Sequence, residues 1–247
     1  MSGTLLAAGL CGAAAAAAGP ISIGARAGLS VPQLRGGGNE ISSGYTSRLA
    51  GYFGAAAELE ISPSFSIQPE IDYVPQGGKR DGMQPITDVD LGMELPPGMT
   101  LYGSFKNVSK LDYIEVPILA KLSLDHAGRF YVDLGPYVGY LTYAKNVTSG
   151  SGGLYLDSAG TQPLMVDGNP VVVPFDATTD NMPGMHRWNW GFQGGFGYRA
   201  PVGAGQLYLD ARAGLGLPHL QRNTAVDGES RTGVLLVVVG YMFGVRD

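Results

Sequence analysis

The chain is 247 residues long, with 39 glycines, 13 tyrosines and only 15% charged side chains, where soluble domains carry about 25%. Its net charge of −5 and the lack of any basic run exclude a nucleic-acid binder, which needs clustered Lys and Arg to meet phosphates. One cysteine, Cys11, excludes an internal disulfide and a cysteine-built metal site.

Leu5 to Ala18 is an unbroken run of apolar and small residues ending in six alanines. It reads as the hydrophobic part of an export signal with an Ala-x-Ala-like cleavage region near Ala16 to Gly19, although no Lys or Arg precedes Arg26. Residues 1–19 are therefore expected to be a signal peptide and residues 20–247 a single barrel domain. Cys11 is not expected to carry lipid, because Leu10 precedes it where a small residue belongs. No later run reaches the roughly 18 apolar residues of a spanning helix, so a membrane span here must be made of strands.

Alternation with a period of two predicts eight such strands. The first, Ile21 to Val31, sets Ile23, Ala25, Ala27 and Leu29 against Gly24, Arg26 and Gly28. The second, Arg48 to Glu60, sets Phe53, Ala55 and Leu59 against Tyr52, Glu58 and Glu60, and the third, Phe65 to Val74, sets Ile67, Ile71 and Tyr73 against Gln68, Glu70 and Asp72. In the fourth, Tyr113 to Leu122, Ile114, Val116, Ile118 and Leu122 alternate with Glu115 and Lys121. Pro117 has no amide hydrogen for the ladder, so a bulge or an interruption is expected there. The fifth, Arg129 to Tyr143, sets Phe130, Val132, Leu134 and Val138 against Tyr131, Asp133, Gly135 and Tyr137. The sixth, Trp188 to Arg199, alternates Trp188, Trp190, Phe192 and Phe196 with Gln193, Gly195, Gly197 and Arg199, and the seventh, Gln206 to Leu217, alternates Leu207 and Leu209 with Tyr208, Asp210 and Arg212. In the eighth, Gly233 to Phe243, both faces are apolar, so the alternation fails.

The connections between these strands alternate short and long: brief turns near Pro63, His126 and Gly203, and long loops at 33–47, 76–109, 145–187 and 218–231. The expected fold is all-β, an eight-stranded antiparallel up-and-down transmembrane β-barrel with short periplasmic turns and long extracellular loops. A soluble lipocalin-like barrel would share the alternation but turn the apolar face inward around a ligand. The membrane version is favoured by glycines on the polar face, by aromatics near strand ends on the apolar face, and by a polar face with Lys121 as its one lysine. Arg26, Lys121, Arg199 and Arg212 then share the interior with Glu58, Glu60, Glu70, Asp72, Glu115, Asp133 and Asp210, a structural charged cluster whose members should pair. Glu58 and Glu60, near the turn end, are expected to meet periplasmic water or to be protonated. An ion or proton path is the functional alternative, but an eight-stranded interior is normally filled by side chains.

Few motifs point to chemistry. Gly195 to Ala200 matches the dinucleotide glycine pattern, yet it continues a strand into Pro201 instead of opening a helix. His186 and His219, with Ser230, Asp176 and Asp180 nearby, could form a lipid-modifying rim site, although their spacing selects no triad. Asp157, Asp167, Asp176 and Asp180 lack a calcium-loop arrangement. No catalytic residue, cofactor or metal site is expected.

Gly24 to Leu29, Gln68 to Ile71 with Tyr73, Tyr113 to Lys121, Gly135 to Gly139 and Gly240 to Phe243 together resemble the PorT-like outer-membrane β-barrel family. The resemblance implies a bacterial outer-membrane protein with a structural or secretion-associated role and no enzymatic activity. Its partners would be outer-membrane lipid and outer-membrane or periplasmic proteins. This chain departs from the family in carrying Gly244 to Asp247 beyond the final aromatic.

Overall fold

The structure, a computed structural model, describes residues 21–86 and 100–245. The expected signal segment, Cys11 and the last two residues lie outside the described residues. The strands are β1 (Ile21–Gly36), β2 (Ala50–Ser62), β3 (Phe65–Ile86), β4 (Leu101–Ser123), β5 (Phe130–Ser149), the short β6 (Ser151–Gly153), β7 (Met165–Val166), β8 (Asn169–Pro170), β9 (Val172–Pro174) and β10 (Ala177–Asp180), then β11 (Trp188–Val202), β12 (Gly205–Gly216) and β13 (Ser230–Val245). The eight long strands pair antiparallel in chain order, β5 pairs with β11, and β13 pairs with β1 to close the ring.

Alternation decides which way each side chain points. On β5, Tyr131, Asp133 and Tyr137 are buried in the lumen, while Phe130, Leu134 and Val138 face outward. Leu134 is 63% exposed and Phe196 66%, and Phe192, Leu209, Leu235 and Val237 continue the same apolar exterior. Water would penalise burying none of this surface, since each such side chain is worth about 1.5–3 kcal/mol when removed from it; an exterior of this kind is stable against lipid tails. The lipocalin-like alternative is thereby reversed, because the apolar face is outside. Aromatics mark both rims of this exterior: Tyr140 packs edge-on against Trp188 at the upper rim, and Phe130 with Tyr198 and Tyr241 with Phe243 at the lower.

The lumen is too narrow for a bulky residue on every strand, and glycine opposite tyrosine resolves this. A Cβ at Gly197 would stand 2.3 Å from the Tyr131 ring and one at Gly240 would stand 2.3 Å from the Tyr208 ring. The apolar inner face of β13 has a similar explanation: Val234, Leu236 and Val238 pack against Tyr52 and Val74, a greasy patch within the otherwise polar lumen.

One expectation about the strands is corrected. The segment 76–109 is not simply a loop: β3 runs on to Ile86 and β4 begins at Leu101. A spanning strand needs about 9–11 residues, so roughly 12 residues of each, about 40 Å of strand, rise above the exterior band. Here both faces leave the membrane, so the pattern loses its strict alternation, and Gly77 and Gly82 adopt positive φ. With β5 and β10 they form a protruding sheet with its own core of Ile86, Leu101, Phe105, Leu154 and Phe175, in which Phe105 and Phe175 stack at 4.4 Å. The interruption expected at Pro117 is present. The β3–β4 ladder is interrupted at Val116 and Pro117 but holds register on either side, Asp72 facing Glu115 and Pro69 facing Ile118. The register shift of β4 lies instead on its β5 side, between Asp112 and Tyr113.

Candidate functional site

The lumen gathers the charged residues that alternation assigns to it into three tiers. At the turn end, Glu58 is buried, in contrast to its expected exposure: Lys121 Nζ lies 3.1 Å and Arg199 Nη1 3.0 Å away, and Ser66 Oγ donates at 2.7 Å. Two cations neutralise it, so neither periplasmic water nor a proton is needed. Glu60, one step nearer the turn, is half-buried and makes no ion pair among the described residues. Lys121 also donates to Gln68 at 2.8 Å and sits 4.0 Å above the Tyr131 ring.

The middle tier is the densest. Arg212 on β12 meets Glu70 at 2.9 Å, Asp133 at 3.0 Å and Asp210 at 2.7 Å. Arg26 on β1 pairs with Glu70 and lies 3.6 Å from Asp72, and the Tyr131 hydroxyl donates to Asp210. Arg212 and Glu70 stand on strands that are not neighbours in the sheet, so their bond crosses the lumen and ties opposite walls together. In the upper tier Glu115, 0% exposed, faces no cation and instead accepts from Gln76 at 2.8 Å and Gln193 at 2.6 Å. Alternation had placed Tyr52, Tyr131, Tyr208, Gln68 and Gln193 on the inner face; what it could not show is that they are the ligands that fill and connect the cluster.

Above Glu115 the lumen widens into a vestibule of about 290 Å³, lined by Ser109, Asn146, Asn181 and Gln221 together with Leu34 and Met185. Its floor is an apolar cluster of Leu111, Tyr113, Leu141 and Leu220. Asp227 borders it, and burial pushes its carboxyl above the ordinary range.

The rim residues do not assemble into a hydrolase. His219 lies 2.8 Å from Arg231 and 3.8 Å from Glu229, while the Ser230 hydroxyl turns to the Ser42 carbonyl. His186 is exposed, and His126 lies in the β4–β5 turn. The loop aspartates serve the backbone: Asp157 accepts from Thr161 and Gln162, Asp176 from Gly150, and Asp180 from Met182. The Thr161 hydroxyl and these amides hold the Asp157 carboxyl below its ordinary range. Gly195 to Ala200 lies within β11 and opens no helix.

Among solved structures the chain is similar to Ail, the attachment invasion locus protein of Yersinia pestis, in its complex with the heparin analogue sucrose octasulfate. Identity there is 12% over 90% of this chain and 99% of that one, with a TM-score of 0.33. It is also similar to Neisserial surface protein A, with 13% identity, 89% and 95% coverage and a TM-score of 0.38. No curated protein matches it in sequence. The family model for the outer membrane protein beta-barrel domain matches residues 14–221. With that match, a closed ring of antiparallel strands, an apolar exterior and a polar lumen, the chain belongs to the outer-membrane β-barrel family and resides in the bacterial outer membrane.

Proposed function

We propose that this is a non-enzymatic barrel whose task is to hold the protruding sheet of β3, β4, β5 and β10 outside the cell for contact with another protein. The observation that carries this reading is the contrast between a lumen filled by bonded side chains and an extracellular sheet with its own hydrophobic core. A filled lumen leaves no path for solutes, while ordering a sheet so far above the membrane costs chain entropy that the barrel's own stability does not require. Residues 1–19 are in this reading an export signal and residues 20–247 the barrel domain. A secretion-associated role of the PorT-like kind fits the same geometry, with the partner docking on the protruding sheet.

Photo-cross-linkers placed at Lys106 and Val147, on the outward side of that sheet, test the proposal in native membranes. Capture of a specific protein from these positions, together with no steady conductance in planar bilayers, is expected. Capture solely from the Asp125 turn, or a stable open channel, overturns it.

A further inference from the structure

The extracellular ends of β11, β12, β13 and β1 carry a belt of basic side chains just above the apolar exterior, on the side away from the protruding sheet. His186 and Arg187 precede Trp188, His219 and Arg222 follow Leu217, and Arg231 and Arg35 stand beyond Leu235 and Val31. Arg35 lies directly opposite Arg231 in the β1–β13 ladder, and on the same face the next pairs toward the membrane are Gln33–Gly233 and Val31–Leu235. Like charges directly opposed on a sheet repel. Among the described residues no carboxylate lies within ion-pair distance of Arg35, Arg187, Arg222 or Arg231. Every cation of the lumen, by contrast, has one.

The belt is built rather than loose. The Arg35 guanidinium donates to the carbonyls of Gly216 at 3.1 Å and Thr232 at 3.3 Å. Its stem crosses Gly233, where a Cβ would stand 2.9 Å from the Arg35 Cδ and Nε. Arg231 is held 2.8 Å from His219, and Arg222 donates to the Met185 carbonyl at 3.0 Å. Two grooves meet at His219: one of about 300 Å³ with Arg35 and Arg231, and one of about 600 Å³ with Arg187, Arg222 and the Trp188 and Tyr140 rings. Glu229 is the one carboxylate that lines either.

We propose that this belt binds the phosphates of an anionic glycolipid in the outer leaflet, one phosphate between Arg35 and Arg231 and a second beside Arg187 and Arg222. Arg is suited to it, because its planar fork meets phosphate oxygens in pairs. Lipid is the occupant because the grooves open onto the outer wall directly above lipid-facing Trp188, Leu217 and Leu235, where acyl chains would lie below a head group. The inference is independent of the proposed role of the protruding sheet, which stands on other strands.

The full chain, refolded in detergent, can be titrated with diphosphorylated lipid A, with its dephosphorylated form and with inorganic phosphate, and bound species read by native mass spectrometry. Diphosphorylated lipid A is expected to bind at least about tenfold more tightly than the dephosphorylated form, with Arg35→Gln plus Arg231→Gln abolishing about that advantage. Lys106→Gln plus Lys110→Gln on the protruding sheet should leave it unchanged. Should the double variant fail to fold, Arg187→Gln serves instead, since that side chain makes no hydrogen bond among the described residues; a roughly threefold loss is expected. Equal binding of both lipid forms, an unchanged preference in a folded variant, or inorganic phosphate competing as well as the lipid would each overturn the proposal.

Discussion

The lumen wall and the outer wall of this barrel are made by the same strands, one residue apart, and the two tolerate change for opposite reasons. Inside, Arg26, Arg212, Glu70, Asp72, Asp133 and Asp210 are buried and bonded across the ring. Outside, Leu134, Phe192, Phe196 and Val237 are each at least half exposed to the surroundings of the barrel. The inner wall is specific, since its charges depend on particular partners, several of them shared. The outer wall is generic, since any apolar side chain satisfies lipid. The difference teaches that stability in such a barrel is spread evenly over the exterior but concentrated in the lumen at a few residues.

The sharpest way to break the comparison is Arg212→Ala. It strands Asp133 and Asp210 without a cation and leaves Glu70 with Arg26 alone, and losing one member of a buried ion cluster costs about 3–5 kcal/mol. Urea titration in detergent, followed by the gel mobility difference between boiled and unboiled samples, should show the midpoint fall accordingly. An unchanged midpoint would mean that the lumen charges are individually dispensable. Next in size is the reverse experiment on the outer wall: Leu134→Arg puts a charge at the middle of the apolar band, at a cost of about 2–4 kcal/mol, whereas Leu134→Val should be nearly silent in the same assay. A third substitution probes space rather than charge. Gly197→Ala drives a methyl into the Tyr131 ring, and overpacking of this kind costs about 1–3 kcal/mol.

The smallest effect is expected where the strands leave the membrane and neither rule applies. In the β4–β5 turn the Phe130 amide donates to Asp125 at 2.9 Å, and this bond and its neighbours hold the exposed carboxyl below its ordinary range. A folded-state pKa below the unfolded value means the contribution is present above the unfolded pKa and is lost as pH falls through the folded one. Wild type and Asp125→Asn should therefore differ slightly at neutral pH and converge in acid. A difference that grows on acidification would contradict the assignment.

How much of this was legible in the sequence depends on where each residue sits. Within the membrane band alternation is imposed by physics, so Tyr131, Asp133, Leu134 and Trp190 could be assigned to a wall from position alone. The charged cluster followed, because eight strands leave little interior room and charges there must meet. The partners did not follow: that Glu58 lies between Lys121 and Arg199, or that Glu115 is held by two glutamines, depends on strand stagger, which a linear pattern does not encode. The upper halves of β3 and β4 were hidden for a different reason. Above the membrane no side is obliged to be apolar, and Gly77, Gly78 and Gly82 mimic the composition of a loop. The basic belt escaped for the complementary reason, since Arg35, Arg187, and Arg222 with Arg231 come from three separate connections and become neighbours once the ring closes.

That closure has a consequence for assembly. The seam joins Ile21 to Val245 and Gly36 to Ser230, so the first strand finds its second partner at the far end of the chain. Contacts between such distant residues form late and slowly. Until they form, β1 presents an unpaired edge on which foreign strands can add, which makes the period before closure the most hazardous in the protein's life and a holding chaperone the natural remedy. A chain that stops before Ser230 is in this light not a shorter barrel but a sheet that can never end its own growth.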